Sequence, residues 1–312
     1  MLRLALPRSI DSVASQLPPD IEVAWYTDGS DCPHAAIDAE VLWLTMWRPD
    51  EITRCLLAGD SLRWVFTSDT GVDSFPLPLF RDRGVTLTNG RGLHAIPIAE
   101  YVVMAMLAAA KGFVALVRAQ DRAEWLTQPP AFGELHGTRA LIVGYGSIGR
   151  AVAERVRPFG VRVTGVKRHA SEEEGVIGAD SWRAGLPEYD WVILATPLTP
   201  ATRHLVGRAE LDAMRSNAWV MNVARGSVID QRALESALHR GKIGGAYLDL
   251  TDPEPLPAES DLWHMPNVIV TPHSSQASSR TEERAVDLFL DNLARYRSDR
   301  ALRNVVNLES GY

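Results

Sequence analysis

The chain of 312 residues is short of cysteine, of net positive charge and of long apolar runs, and each shortage removes a class of function. Cys32 and Cys55 are its two cysteines and form no CxxC pair, which argues against a disulfide framework and suits a reducing cytoplasm. The eight histidines show neither HxxxH nor HExxH spacing, so no metal site is expected. A formal net charge of −7 gives no support for a nucleic-acid or anionic-membrane partner, because both repel a negative surface. The apolar stretch in MLRLALPRSIDS is too short for the core of a signal peptide. The most apolar long segment, Ile96 to Ala110, is broken by Pro97 and Glu100 and falls short of the ~20 residues that span a bilayer. Internal repeats and low-complexity tracts are absent as well. What remains is the composition of a soluble globular protein, 46% hydrophobic and 23% charged, long enough for two separate cores.

The first ninety or so residues alternate short strands with helices. Leu2 to Leu6, Ile21 to Tyr26, Val41 to Met46, Arg63 to Ser68 and Val85 to Thr88 read as strands, rich in branched and aromatic residues. The clearest helix between them is Glu51 to Ala58, with Gly59 as its stop. Such alternation implies an α/β fold with a doubly wound parallel sheet, whose ligand sits beyond the carboxyl ends of the strands. Two loops stand at such ends. In Thr67 to Asp73, Thr70 and Gly71 can expose backbone N–H groups to an anion, although a turn of this composition is more often only a turn. In the other, Trp47 can close over a small ligand or simply belong to the core.

Arg139 to His169 reads as strand, glycine turn, helix, strand, the order that a dinucleotide-binding unit requires. In Gly144-Tyr145-Gly146-Ser147-Ile148-Gly149, Gly144 permits the tight turn, Gly146 lets backbone approach a pyrophosphate, and Gly149 lets the helix pack on the strand. The helix start then offers N–H groups and about half a positive charge to the phosphates. Further strands are expected at Trp191 to Ala195, Ala218 to Val223, Ala246 to Leu250 and Val268 to Thr271. Past their carboxyl ends lie Thr196-Pro197, Arg225, Glu254 and His273. A histidine suits proton transfer near neutral pH, a carboxylate on its second nitrogen fixes the ring and favours its charged form, and an arginine offers a two-pronged donor to a carboxylate. Singly, each is most often a solvated surface residue; three at the strand ends of one cofactor sheet bring catalysis level with that reading.

Over nearly its whole length the chain resembles the D-isomer-specific 2-hydroxyacid dehydrogenase family. The matching words are Thr70-Gly71-Val72-Asp73, Ile98-Ala99-Glu100, the glycine turn, Asn222-Val223-Ala224-Arg225-Gly226, Leu248-Asp249 with Pro253-Glu254-Pro255-Leu256-Pro257, and Thr271-Pro272-His273. The resemblance implies a flavodoxin-like substrate domain, residues 1–96 with 277–312, and a Rossmann cofactor domain, residues 97–276, with the active site in the cleft between them. It implies that Arg225 binds the substrate carboxylate and carbonyl, that His273 is the acid/base, and that Glu254 pairs with His273. Thr70, Gly71 and Trp47 are expected to contact substrate, and Thr196, Pro197, Val223, Ala224, Asp249 and Ser275 to contact cofactor beside the glycine turn. A homodimer joined through the cofactor domain is also implied.

Two positions discriminate within this resemblance. The acid that usually grips the adenosine ribose is replaced by Lys167, followed by Arg168, with no acid before Glu172. A basic pair favours a 2′-phosphate and hence NADP over NAD, unless both residues are merely solvated. Formate dehydrogenases of this type carry glutamine where Glu254 stands, so a glutamate points to proton-coupled carbonyl chemistry. The phrase around Glu254 looks like that of glyoxylate/hydroxypyruvate reductases. The expected activity is reduction of a small 2-keto acid to the D-2-hydroxy acid. The alternative is a dinucleotide-sensing interaction protein, resembling the corepressors built on the same fold.

Overall fold

Two wholly parallel sheets carry the apolar runs, in a computed structural model that describes residues 1–45, 48–169 and 173–311. The chain separates into two compact units, Met1–His94 with Ser278–Tyr312, and Ala95–Ala277.

In the first unit the strands are β1 (Leu2–Pro7), β2 (Ile21–Tyr26), β3 (Val41–Leu44), β4 (Trp64–Thr67) and β5 (Thr86–Thr88), in the order β2-β1-β3-β4-β5. That is the flavodoxin-like winding. β3 and β4 are buried along their whole length, as unbroken VLWL and WVFT runs require when helices cover both faces of a sheet. The connecting helices are α1 (Cys32–Ala36), α2 (Pro49–Ala58) and α3 (Leu77–Asp82). α2 has Pro49 at its start and Asp50 and Glu51 in its first turn, and Gly59 ends it. β3 stops at Leu44, short of the expected Met46, which lies outside the described residues. Arg63 and Ser68, expected at its ends, fall outside β4.

The second unit begins with α4 (Ala95–Lys111) and α5 (Phe113–Asp121), separated by Gly112 at a φ of 61°. α4 buries Ala99, Val102, Ala105 and Met106 but leaves Met104 exposed, so one face of this alanine-rich helix is core and the other is surface. β6 (Arg139–Val143) leads through the glycine turn into α6 (Ser147–Val156), and β7 (Arg162–Lys167) follows. Gly160, at a φ of 80°, ends the helical stretch in the left-handed conformation that glycine adopts freely. Then come β8 (Val176–Gly178), β9 (Trp191–Leu194), α7 (Arg208–Ala213), β10 (Trp219–Asn222), α8 (Gln231–His239), β11 (Gly245–Leu248) and β12 (Val268–Val270). The order β12-β11-β10-β9-β6-β7-β8 reverses between β6 and β9, the Rossmann switch point where a dinucleotide lies. α8 is capped by the Asp230 carboxylate, which accepts from Ala233 N–H at 3.1 Å.

Helix α9 (Thr281–Arg297) returns to the first unit. Its Phe289 is fully buried, stacked on Trp64 at 5.3 Å between centroids and tilted against Trp43 at 4.9 Å. Burial of each such ring contributes about 1.5–3 kcal/mol, so this cluster anchors the returning chain. The tail is strapped rather than loose: Val305 bridges Thr88, and Val306 N–H donates to Leu87 at 2.9 Å. Among the described residues, no single helix is long and apolar enough to cross a membrane.

Candidate active site

Because every strand of the second unit runs parallel, all their carboxyl ends share one edge. On that edge stand the glycine turn after β6, Arg225 after β10, Glu254 after β11 and His273 after β12, the last three on adjacent strands. Strand order therefore gathers polar residues separated by up to about fifty positions in the chain.

His273 Nδ1 and Glu254 Oε1 lie 2.6 Å apart. A carboxylate at Nδ1 requires the proton there, which leaves Nε2 as the nitrogen that can hold or release a proton toward a ligand. Both side chains are 42% exposed, as a pair that serves a ligand must be. His273 adopts a φ of 50°, a left-handed conformation unusual for a side-chain-bearing residue. Its N–H donates to Asp249 O at 2.9 Å and Thr271 O at 3.0 Å, which holds that turn. Thr251 Oγ1 donates to Pro253 O at 2.9 Å, tying the loop that presents Glu254.

Asp249, only 2% exposed, is the hub of this corner. Its Oδ1 accepts from the Thr271 hydroxyl at 2.6 Å and from Ser274 N–H at 3.0 Å, and both its oxygens receive Ser275 N–H at 3.2 Å. The Ser275 hydroxyl donates to Oδ2 as well. A carboxylate has about four acceptor positions, and here protein donors fill them. The side chains of Asp249 and Ser275 thus hold the His273 loop, a role absent from the cofactor contacts expected of them. Such a hub leaves no periodic mark; its signal is an acid directly after an apolar strand.

The Arg225 loop is built in a similar way. Buried Asn222 donates to Arg225 O at 2.9 Å and accepts from Ala224 N–H at 3.1 Å, closing a turn at the end of β10. Gly226 lies against the next loop so closely that a β-carbon would meet Thr251 O at 2.0 Å. The Arg225 guanidinium donates to Ala224 O at 2.9 Å, on the same edge as the histidine–glutamate pair. Val223 and Ala224 are buried, with Val223 N–H on Leu194 O at 3.1 Å. Thr196 and Pro197 follow β9 in a loop closed by the Thr202 hydroxyl on Pro197 O at 2.6 Å.

The glycine turn has the shape a pyrophosphate needs. Gly144 has a φ of 102°, and a β-carbon there would lie 2.5 Å from Ala195 O. On Gly149 it would lie 2.3 Å from Gly144 O, so helix and strand can meet only without it. Above Gly146 there is open space within 4 Å, at the start of α6, where no side chain caps the helix. Its unsatisfied N–H groups suit an anion. Ser147 and Ile148 open that first turn, half-buried. Tyr145 faces the other way, 4% exposed and packed on Gly165, so only its backbone can serve a cofactor.

At the end of β7 the structure departs from a simple basic pair. The chain is back at Lys167 by Glu173, two residues before Gly175 (φ 75°), with Glu173 Oε2 3.1 Å from Lys167 Nζ. Arg150 of α6 grips the same carboxylate with both nitrogens, at 2.6 and 2.7 Å. Arg150 first and Lys167 second hold the Glu173 carboxyl down at about 2. The sequence position of Glu173, six residues past Lys167, concealed this return.

In the first unit, the Thr70 hydroxyl donates to Gly90 O at 3.3 Å and Asn89 Nδ2 donates to Thr70 O at 2.8 Å. The Thr70 and Gly71 N–H groups form no hydrogen bond within the described residues, as a backbone anion site requires. Trp47 lies outside the described residues. No cluster of three or more potential metal ligands occurs among the described residues.

Residues 103–275 match the family model for the NAD-binding domain of D-isomer specific 2-hydroxyacid dehydrogenases. The chain is 32% identical over 259 residues to a glyoxylate reductase of Korarchaeum cryptofilum, covering 81% of this chain and 78% of that one. It is 30% identical over 294 residues to a D-3-phosphoglycerate dehydrogenase of Methanocaldococcus jannaschii; the match takes in 93% of this chain but spans only 56% of that longer relative. Among solved structures, an NADPH-dependent glyoxylate/hydroxypyruvate reductase of Sinorhizobium meliloti, in complex with NADP and sulfate, superposes with a TM-score of 0.84 at 26% identity and covers all of both chains.

Proposed function

Since the chain belongs to the D-isomer-specific 2-hydroxyacid dehydrogenase family, an NAD(P)-dependent oxidoreductase family, we propose that it reduces a small 2-keto acid of the glyoxylate or hydroxypyruvate type to the D-2-hydroxy acid. The observation that carries this reading is the 2.6 Å pair of His273 and Glu254 on the edge that bears the glycine turn. Bound there, the reduced nicotinamide supplies a hydride. His273 holds a proton at Nε2 and releases it to the keto oxygen, while Glu254 keeps Nδ1–H in place and so fixes the ring. Arg225 offers its guanidinium to the substrate carboxylate and carbonyl, and the Thr70 and Gly71 N–H groups bind the carboxylate. Asp249 fixes the loop that carries His273.

In this reading residues 97–276 hold the cofactor, and residues 1–96 with 277–312 hold the substrate. Lys167 and Arg168 select NADPH over NADH, which is in keeping with the NADPH-dependent relative of known structure. The enzyme works in the cytoplasm as a homodimer joined through the second unit, where Met104, Phe113, Trp125 and Phe132 expose apolar surface. The dinucleotide-sensing alternative draws no support from these observations. Initial rates of NADPH and NADH oxidation with glyoxylate, hydroxypyruvate, pyruvate, phenylpyruvate and a branched 2-keto acid test the proposal. Turnover with a short keto acid is expected, faster with NADPH. Tight cofactor binding without turnover of any of these acids contradicts it.

A further inference from the structure

Arg150, Lys167 and Glu173 form a built anion seat that the chain fills with its own carboxylate. Arg150 sits directly after the last glycine of the turn, and Lys167 ends the neighbouring strand β7, paired with β6. In a dinucleotide fold that strand end meets the adenosine ribose, about 20 residues past the turn. The guanidinium presents two nitrogens to the Glu173 carboxylate, at 2.6 and 2.7 Å, and Lys167 adds a third donor at 3.1 Å. A planar fork with an ammonium beside it is the donor set that a phosphate monoester takes. The fork is also held in place: the Arg150 guanidinium lies 5.1 Å from the centre of the Tyr145 ring, and that ring is pinned against Gly165.

We propose that Glu173 is an internal competitor for the 2′-phosphate of the dinucleotide and thereby sets how strongly the enzyme discriminates NADPH from NADH. The inference rests on the reading that the end of β7 faces the adenosine ribose. With a 2′-hydroxyl, the carboxylate stays on Arg150 and Lys167 and can accept from the hydroxyl. A 2′-phosphate carries two further negative charges and cannot share the seat with an ionised carboxylate, so Glu173 has to leave it. Departure is feasible because the side chain is 34% exposed and water can receive it. The carboxyl, held at about 2, stays ionised at every pH at which the enzyme works, so the competition is permanent. The basic pair thus favours NADPH less than its charge alone suggests.

The test is calorimetric titration of wild type, Glu173→Gln and Lys167→Ala with 2′,5′-ADP and with 5′-ADP, alongside fluorescence titration with NADPH and NADH. Glutamine keeps the size of the side chain and removes its charge. Glu173→Gln is expected to tighten 2′,5′-ADP and NADPH about tenfold and to leave 5′-ADP and NADH within about twofold, whereas Lys167→Ala weakens the 2′-phosphorylated ligands. Cooperative melts with every Tm well above the titration temperature exclude an effect of folding. If Lys167→Ala weakens those ligands while Glu173→Gln changes nothing, the seat stands and the competitor is overturned. If neither variant alters the ratio between phosphorylated and unphosphorylated ligands, the ribose lies elsewhere and both readings fail.

Discussion

Placing one methyl group on Gly226 separates the two loops that carry Arg225 and Glu254. A β-carbon there would lie 2.0 Å from Thr251 O, 2.2 Å from Thr251 C and 2.8 Å from Asp252 N. Non-bonded carbon atoms prefer about 3.5–4.0 Å, so the loops must part by more than about 1 Å, and no rotamer can absorb this because all three atoms are backbone. Overpacking of this kind costs about 1–3 kcal/mol, equivalent to a fall in Tm of roughly 2–12 °C for a unit of this size. The catalytic effect is larger, because a displacement of about 1 Å between reacting groups costs about 10²-fold. Gly226→Ala is therefore expected to remain folded, to bind NADPH within about threefold of wild type, and to lose about 10²-fold in kcat/KM for the keto acid. Steady-state NADPH oxidation, fluorescence titration and a thermal melt read the three quantities. A folded variant with activity within about twofold of wild type refutes the idea that contact between these loops positions Arg225.

Two further outcomes follow from the same geometry. Arg225→Ala removes the two-pronged donor and is expected to raise KM for the keto acid and lower kcat, each by about tenfold or more, with the Kd for NADPH unchanged; an unchanged KM contradicts the assignment. Glu173 titrates at about 2 in the folded chain, below its ordinary value of 4.5, so its ion pairs stabilise the fold above pH 4.5 and lose that effect as pH falls through about 2. The Tm difference between wild type and Glu173→Gln should be constant at neutral pH and shrink between about pH 4.5 and about pH 2; a difference that grows on acidification contradicts the pairing.

Much of the fold was legible because its signals are local. Ile21–Tyr26 is the strand expected from its branched and aromatic run, and Gly59 stops α2 as expected. Some short elements were not legible. β8 is three residues long and ends in glycine, and α1, α3 and α7 complete barely a turn or two, so none carries a full period of an apolar pattern. Within the site, sheet order placed Arg225, Glu254 and His273 on one edge, and the parallel winding follows from strands alternating with helices. The grip of Arg150 on Glu173 and the five hydrogen bonds on Asp249 join residues more than twenty positions apart. No spacing rule encodes such contacts, and they decide how the seat and the catalytic loop are held.

The most direct measurement of the central claim is single-turnover NADPH oxidation by wild type and His273→Asn on rapid mixing with a 2-keto acid. Asparagine tolerates the φ of 50° at this position, so the loop survives while the proton-carrying nitrogen is lost. If His273 moves the proton, the variant binds NADPH as wild type does and oxidises it about 10²- to 10⁴-fold more slowly. Equal single-turnover rates would contradict the account.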